Sequence, residues 1–123
     1  MSHQTQTEMD LLRTLLEGRI CILRADLEAA MRARDARVGA ILPEVYDQRD
    51  DAGLLQRGEV DAESERLAAA DLVRCEAALR RMDEGTYGEC VDCGEPIALS
   101  RLRVQPQAER CHDCQEFHER LAA

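Results

Sequence analysis

Four of the chain's six cysteines stand in two Cys-x2-Cys pairs, Cys90 with Cys93 and Cys111 with Cys114, and 17 residues separate the pairs. Two such knuckles can bring four thiolates into the tetrahedral arrangement that zinc prefers, with Zn–S near 2.3 Å. Gly94, directly after the first pair, supplies the backbone freedom that a knuckle turn needs. Four sulfur ligands leave no open coordination position, so the expected metal is structural. Its binding energy would replace the hydrophobic core that a segment of roughly 35 residues cannot build for itself. A redox dithiol pair or an iron–sulfur cluster is the competing reading, and neither has supporting context in the surrounding residues. His112 and His118 could each replace a cysteine ligand, but the complete set of four makes that unnecessary.

Upstream the pattern is helical. From about Thr5 to Leu42 apolar residues fall at Leu12, Leu16, Ile20, Leu23, Leu27, Ala30, Val38 and Ile41, mostly three or four positions apart. Charged residues fill the positions between. So thin a stripe on so long a segment calls for a coiled-coil partner. Pro43 ends the first helix, and the chain should turn through residues 43–53. A second helix is expected to start between Asp50 and Leu54, with Asp50 or Asp51 as cap, and to run to about Glu84, where Gly85 stops it. Its stripe is weak at Gly58 and Val60 and firmer through Leu67, Leu72, Cys75, Leu79 and Met82.

The two helices should pair antiparallel. In a hairpin centred near residue 48, facing residues have numbers that add to about 95 or 96. Leu16 with Leu79 and Leu23 with Leu72 satisfy this. Cys21 and Cys75 do so too, and are read as two small buried thiols, with a redox-sensitive staple as the alternative. The fold class is therefore mainly α. A long antiparallel coiled-coil hairpin over residues 1–84, with an acidic tip near 43–53, precedes a four-cysteine zinc-finger module with a C-terminal helix over residues 85–123. Residues 86–110 are too irregular for a helix, whereas the segment from Cys111 onward is helical, with Phe117 and Leu121 placed to pack back on the module.

Composition narrows the function. Aromatic residues make up 2% of the chain and charged residues 33%, which suits long helices and leaves little bulk for a wide core. The balance of 25 acids against 16 bases gives a net charge of −9, which opposes nonspecific attraction to a nucleic-acid backbone. No stretch has the apolar length needed to cross a bilayer and the N-terminus has no signal-peptide pattern, so a soluble, cytoplasmic chain with reduced cysteines is expected. There is no nucleophile–base set and no phosphate-cradling glycine loop, so an enzyme is the least expected class.

At the turn, Asp47, Asp50 and Asp51 stand beside Glu44. Acids in a loop are usually just solvated. At the end of a rigid hairpin they could also deliver negative charge to a metal ion or basic cluster in a narrow site.

From the tip to the C-terminus the chain resembles the DksA/TraR transcription factors of bacteria. The stretch Glu84-Gly-Thr-Tyr-Gly-Glu-Cys-Val-Asp-Cys-Gly-Glu-Pro-Ile-Ala-Leu-Ser-Arg-Leu-Arg-Val-Gln-Pro, followed by Cys111-His-Asp-Cys114, is similar to the family's zinc-finger signature. Counting back without gaps from Cys90, the family's tip motif Asp-x-x-Asp-x-Ala falls on Asp47, Asp50 and Ala52. The resemblance implies a regulator of the stringent-response kind, and a hairpin that satisfies its own apolar stripe is expected to be a monomer. Its globular module would dock on the rim of the secondary channel of RNA polymerase, and its coiled coil would carry Asp47, Asp50 and Ala52 toward the catalytic centre. Promoter complexes, such as those at stable-RNA promoters, would then be shortened in lifetime without sequence-specific DNA contact. Members that act with guanosine tetraphosphate carry basic residues at the positions of Arg74, Gln105 and Gln115 here. Only Arg74 is basic, so a remnant nucleotide site with weak or no response is expected. The alternatives are a zinc-ribbon nucleic-acid binder, which would need a basic or aromatic face on the finger, and a coiled-coil adaptor.

Overall fold

A computed structural model describes the backbone of residues 5–41 and 48–122 and the side chains of residues 5–37 and 62–122. Four helices account for most of it: α1 (Gln6–Ile41), α2 (Gln48–Glu84), α3 (Leu99–Val104) and α4 (His112–Ala122).

Helix α1 starts where local chemistry supplies its first partners. The Thr5 hydroxyl accepts a hydrogen bond from the Glu8 N–H at 3.1 Å, and the Glu8 carboxylate accepts one from the Thr5 N–H at 3.0 Å. This reciprocal Thr-x-x-Glu box satisfies two backbone donors that a helix start would otherwise leave open. The end of α2 is equally explicit. Gly85 takes φ of 81°, the Thr86 N–H donates to the Arg81 carbonyl at 2.9 Å, and the Gly85 N–H donates to the Met82 carbonyl at 3.3 Å. These are the two bonds of a Schellman motif, and the left-handed residue between them suits glycine. At its other end α2 begins at Gln48, earlier than the expected start between Asp50 and Leu54. Asp50 and Asp51 thus lie in its first turn, where acids complement the positive end of the helix, and Gly53 is carried inside the helix at a cost of about 1 kcal/mol. Pro43 and Asp47 lie outside the described residues.

Helices α1 and α2 run antiparallel, and the chain divides into two compact units, one of Met1–Ile20 with Leu72–Ala123 and the other of Cys21–Asp71. The first unit's largest fully buried side chains are Leu12, Leu16 and Cys75 from the helical arms and Tyr87 and Leu102 from the cysteine-bearing segment. That segment is too short to enclose a core alone and shares one with the adjoining helix ends. In the second unit the described side chains of α1 and α2 are half-buried at Leu23, Leu27, Ala30, Arg37, Glu65, Ala68 and Asp71, and none of those described is fully buried.

The apolar stripe of α1 is as read at Leu12, Leu16 and Ile20, which are buried, and at Leu23, Leu27 and Ala30, which are half-buried; the side chains of Val38 and Ile41 lie outside the described residues. Two details differ. Leu67 is 59% exposed, and its neighbour Ala68 takes the inward position, because stepping back from Cys75 by three and then four residues reaches Leu72 and Ala68. Cys75 is fully buried, but Cys21 is exposed, so the reading of two buried thiols holds for Cys75 alone. Ile20 occupies the seam, and one further residue rotates Cys21 about 100° off it.

A third difference is α3, a helix of six residues inside the segment expected to be irregular. It lies between Pro96 and Pro106, and its Leu102 is fully buried. The fourth concerns α4, which forms as expected but buries none of its residues; Phe117 is 61% and Leu121 72% exposed rather than packed back on the module.

Candidate metal centre

The first knuckle is built by a short antiparallel bridge between Glu89 and Pro96. The Cys90 N–H donates to the Glu95 carbonyl at 2.8 Å, the Ile97 N–H to the Gly88 carbonyl at 2.7 Å, and the Gly94 N–H back to the Cys90 carbonyl at 2.9 Å. Gly94 has φ of 76°, a left-handed conformation that lets the chain reverse immediately after Cys93. The second pair straddles the start of α4, with Cys111 just before it and Cys114 in its first turn. The Val91 N–H donates to the Glu109 carbonyl at 2.9 Å and ties the first knuckle to the approach of the second.

This geometry brings the four predicted ligands together. The sulfur atoms of Cys90, Cys93, Cys111 and Cys114 all lie within 4.8 Å of one another, and those of Cys93 and Cys111 are 3.8 Å apart. A tetrahedron with Zn–S near 2.3 Å has edges of about 3.8 Å, so the donor set fits one zinc ion. Cys90 is buried, Cys111 and Cys114 are half-buried and Cys93 is exposed. Burial alone would raise the Cys90 thiol, but hydrogen bonds from the backbone at Cys111, Cys93 and Asp92 outweigh it and lower the pKa to about 6. Cys114 is pushed well above the ordinary thiol range, first by its hydrogen bonds with Cys111 and Cys90 and then by desolvation. One sulfur thus favours the thiolate while a neighbour holds the proton, as expected of thiols sharing a site that a divalent cation would complete.

Around the sulfurs the packing is specific. Tyr87 is fully buried and its hydroxyl donates to the Pro106 carbonyl at 2.8 Å, which links the chain before the first knuckle to the chain before the second. Burial raises the Tyr87 phenol out of its normal range, and the positive charge of Arg81 offsets only part of that. Arg110 bonds the Asp92 carboxylate through Nε at 2.8 Å and Glu109 through Nη1 at 2.8 Å, while its carbonyl accepts from Arg101 Nε at 3.2 Å. Sequence reading did not find these contacts, since spacing carries no information about which carbonyl a tyrosine reaches.

Arg74, Gln105 and Gln115 are brought together. They line one cavity of about 560 Å³ with Arg101, Arg110, Glu109 and Glu119 among its other walls. Gln115 Nε2 is already donating to Glu119 at 3.0 Å. Of the three tip positions, Asp50 and Ala52 lie in α2 with side chains outside the described residues, and Asp47 lies outside them altogether.

Residues 85–120 match the model of a family described as the prokaryotic dksA/traR C4-type zinc finger. The chain is 47% identical over 47 residues to the RNA polymerase-binding transcription factor DksA of Caulobacter vibrioides, covering 38% of this chain and 33% of that protein. To the Escherichia coli protein of the same name it is 33% identical over 46 residues, covering 37% of this chain and 30% of that one. The aligned stretch is therefore about a third of the length of these relatives. An uncharacterised protein of Aquifex aeolicus is 32% identical over 106 residues, or 86% of this chain and 72% of that one. The solved structure of transcription factor DksA2 from Pseudomonas aeruginosa superposes with a TM-score of 0.78 at 27% identity, covering 98% of this chain and 89% of that one. With a four-cysteine zinc centre carried on antiparallel helices, the chain belongs to the DksA/TraR family.

Proposed function

We propose that the chain is a transcription factor that acts by binding RNA polymerase rather than by catalysing a reaction. The observation that carries this is the four-cysteine centre, whose residues match the zinc finger of relatives named as RNA polymerase-binding factors. In this reading the cysteine-bearing module docks on the rim of the secondary channel and the paired helices enter it. Asp47, Asp50 and Ala52 then stand near the catalytic centre. The factor binds one state of the promoter complex more tightly than another and shifts the population by that difference. The net charge of −9 supports an action without direct DNA binding. So do the finger's arginines, since Arg110 is engaged by Asp92 and Glu109.

Guanosine tetraphosphate has little effect on this factor. Arg74, Arg101 and Arg110 in the cavity are matched by Glu109, Glu116 and Glu119, and a neutral amide at Gln105 and Gln115 cannot make the charge-assisted contact of a basic side chain with phosphate. The test is the lifetime of open complexes on a ribosomal RNA promoter, without nucleotide, with the native protein and with Asp47→Asn/Asp50→Asn. The native protein shortens the lifetime, and the double variant still binds polymerase but does not. Unchanged lifetimes with the native protein, with and without the nucleotide, would overturn the reading.

A further inference from the structure

The start of α4 carries a second set of metal-ligand atoms. His112, Asp113 and Glu116 each bring one donor, an imidazole nitrogen or a carboxylate oxygen, and the three donors lie within 4.8 Å of one another. Glu116 follows His112 by one helical turn, which sets its Oε2 3.8 Å from His112 Nε2. The other oxygen of that carboxylate, Oε1, meets Arg120 Nη2 at 3.4 Å. The set shares no residue with the four cysteines, yet His112 directly follows Cys111 and Asp113 directly precedes Cys114. His112 and Asp113 also line a cavity of about 520 Å³ with Ser100 and Gln105 in its walls, which leaves room for water around a bound ion.

We propose that His112, Asp113 and Glu116 form a second, open zinc site through which the ion of the four-cysteine centre is exchanged. One imidazole and two carboxylates make a borderline donor set that suits a first-row divalent ion. Three protein ligands leave a position to water, so an ion here comes and goes readily, whereas the four-sulfur set is closed. Charge favours the same occupant. Two carboxylates gathered this closely repel each other, and a divalent cation between them removes that repulsion. Four thiolates around one divalent ion also leave negative charge uncompensated beside this turn, which attracts a second cation and offsets the positive end of α4. An incoming zinc held by the three residues takes over thiolates from its neighbour as the outgoing ion leaves, one zinc for one zinc, and no sulfur has to gain a proton on the way.

The zinc-loaded full chain tests this without polymerase. Equilibrium dialysis against zinc gives two equivalents per chain, one of which is removed by citrate while the other stays. His112→Ala/Glu116→Gln keeps the firmly held equivalent and the melting temperature and loses the citrate-sensitive one. Isotopically labelled zinc then enters the four-cysteine centre about tenfold more slowly in that variant than in the native chain, because the ion is no longer concentrated beside the sulfurs. His118→Ala, which removes an imidazole of the same helix outside the set, changes neither the stoichiometry nor the exchange rate. A single equivalent in the native chain would overturn the proposal. So would a citrate-sensitive equivalent that survives in the double variant, or labelled zinc entering both proteins at the same rate.

Discussion

Arg13 Nη2 stands 3.3 Å from Asp83 Oδ1, joining two residues 70 positions apart whose numbers add to 96. That sum is the antiparallel register expected from the apolar stripes. In Cys21–Asp71, Leu27 of α1 and Ala68 of α2 line one groove, and their numbers add to 95. The register is therefore marked by polar contacts on the outside of one unit and by the inward side chains of the other.

The ion pair marks register but contributes little stability. Arg13 and Asp83 are 42% and 71% exposed, so Arg13→Ala should cost less than about 1 kcal/mol. Leu16→Ala, at a fully buried position of the same helix, should cost about 2–5 kcal/mol. Urea denaturation followed by circular dichroism checks both, and a larger loss from Arg13→Ala than from Leu16→Ala would contradict this assignment of the core.

Gly85→Ala forces a Cβ into the left-handed region at φ of 81°, and the cost should be about 1–2 kcal/mol. Nothing lies within 4 Å of the added atom, so the penalty is conformational rather than steric. Gly85→Asn should therefore recover part of it. Thermal melts of the two variants separate the effects.

Tyr87→Phe keeps the ring and removes the donor to the Pro106 carbonyl. Leaving that buried acceptor without its partner should cost about 1–3 kcal/mol and weaken zinc retention, read as faster metal release to a chromophoric chelator. In a Tyr46→Phe background the remaining Tyr87 should show no phenolate absorbance on raising the pH until the protein unfolds, because burial raises its pKa.

Zinc retention should fall with acidification, in a defined direction. The metal-free fold lowers the Cys90 thiol to about 6, so its stabilising contribution is full above the ordinary thiol range and is lost as the pH falls through about 6. Protonation at Cys90 then opposes both folding and metal binding. Zinc release measured from pH 8 to pH 5 should steepen near pH 6, and Cys90→Ser should abolish retention throughout. Chelation at neutral pH should lower the melting temperature of the zinc-bearing unit, followed through Tyr87 in the same Tyr46→Phe background.

The metal ligands were legible because Cys-x2-Cys spacing is a local code: two residues between sulfurs, with Gly94 following, already define a knuckle. Helix α1, its seam and the stop at Gly85 were legible for the same reason, since a period of 3.6 residues and a left-handed glycine are properties of neighbouring residues. Helix α3 was missed because six residues carry too little periodicity to declare a helix, and Leu102 finds its reason only in the core it joins. Leu67 was misplaced because hydrophobicity ranks it above Ala68, whereas the inward direction is set by where Leu72 and Cys75 already point.

The sequence by itself determined the zinc donor set, the two long helices and their antiparallel register, all of which rest on local spacing and on chain reversal about one turn. Only the tertiary structure decided where the compact units divide, that Cys75 is buried while Cys21 is not, and that Phe117 and Leu121 stay exposed on α4. It also decided that Arg74, Gln105 and Gln115 share a cavity whose acids balance its arginines. These depend on which surfaces meet and how much area each contact removes from water, and that is a property of distant residues brought together rather than of neighbours along the chain.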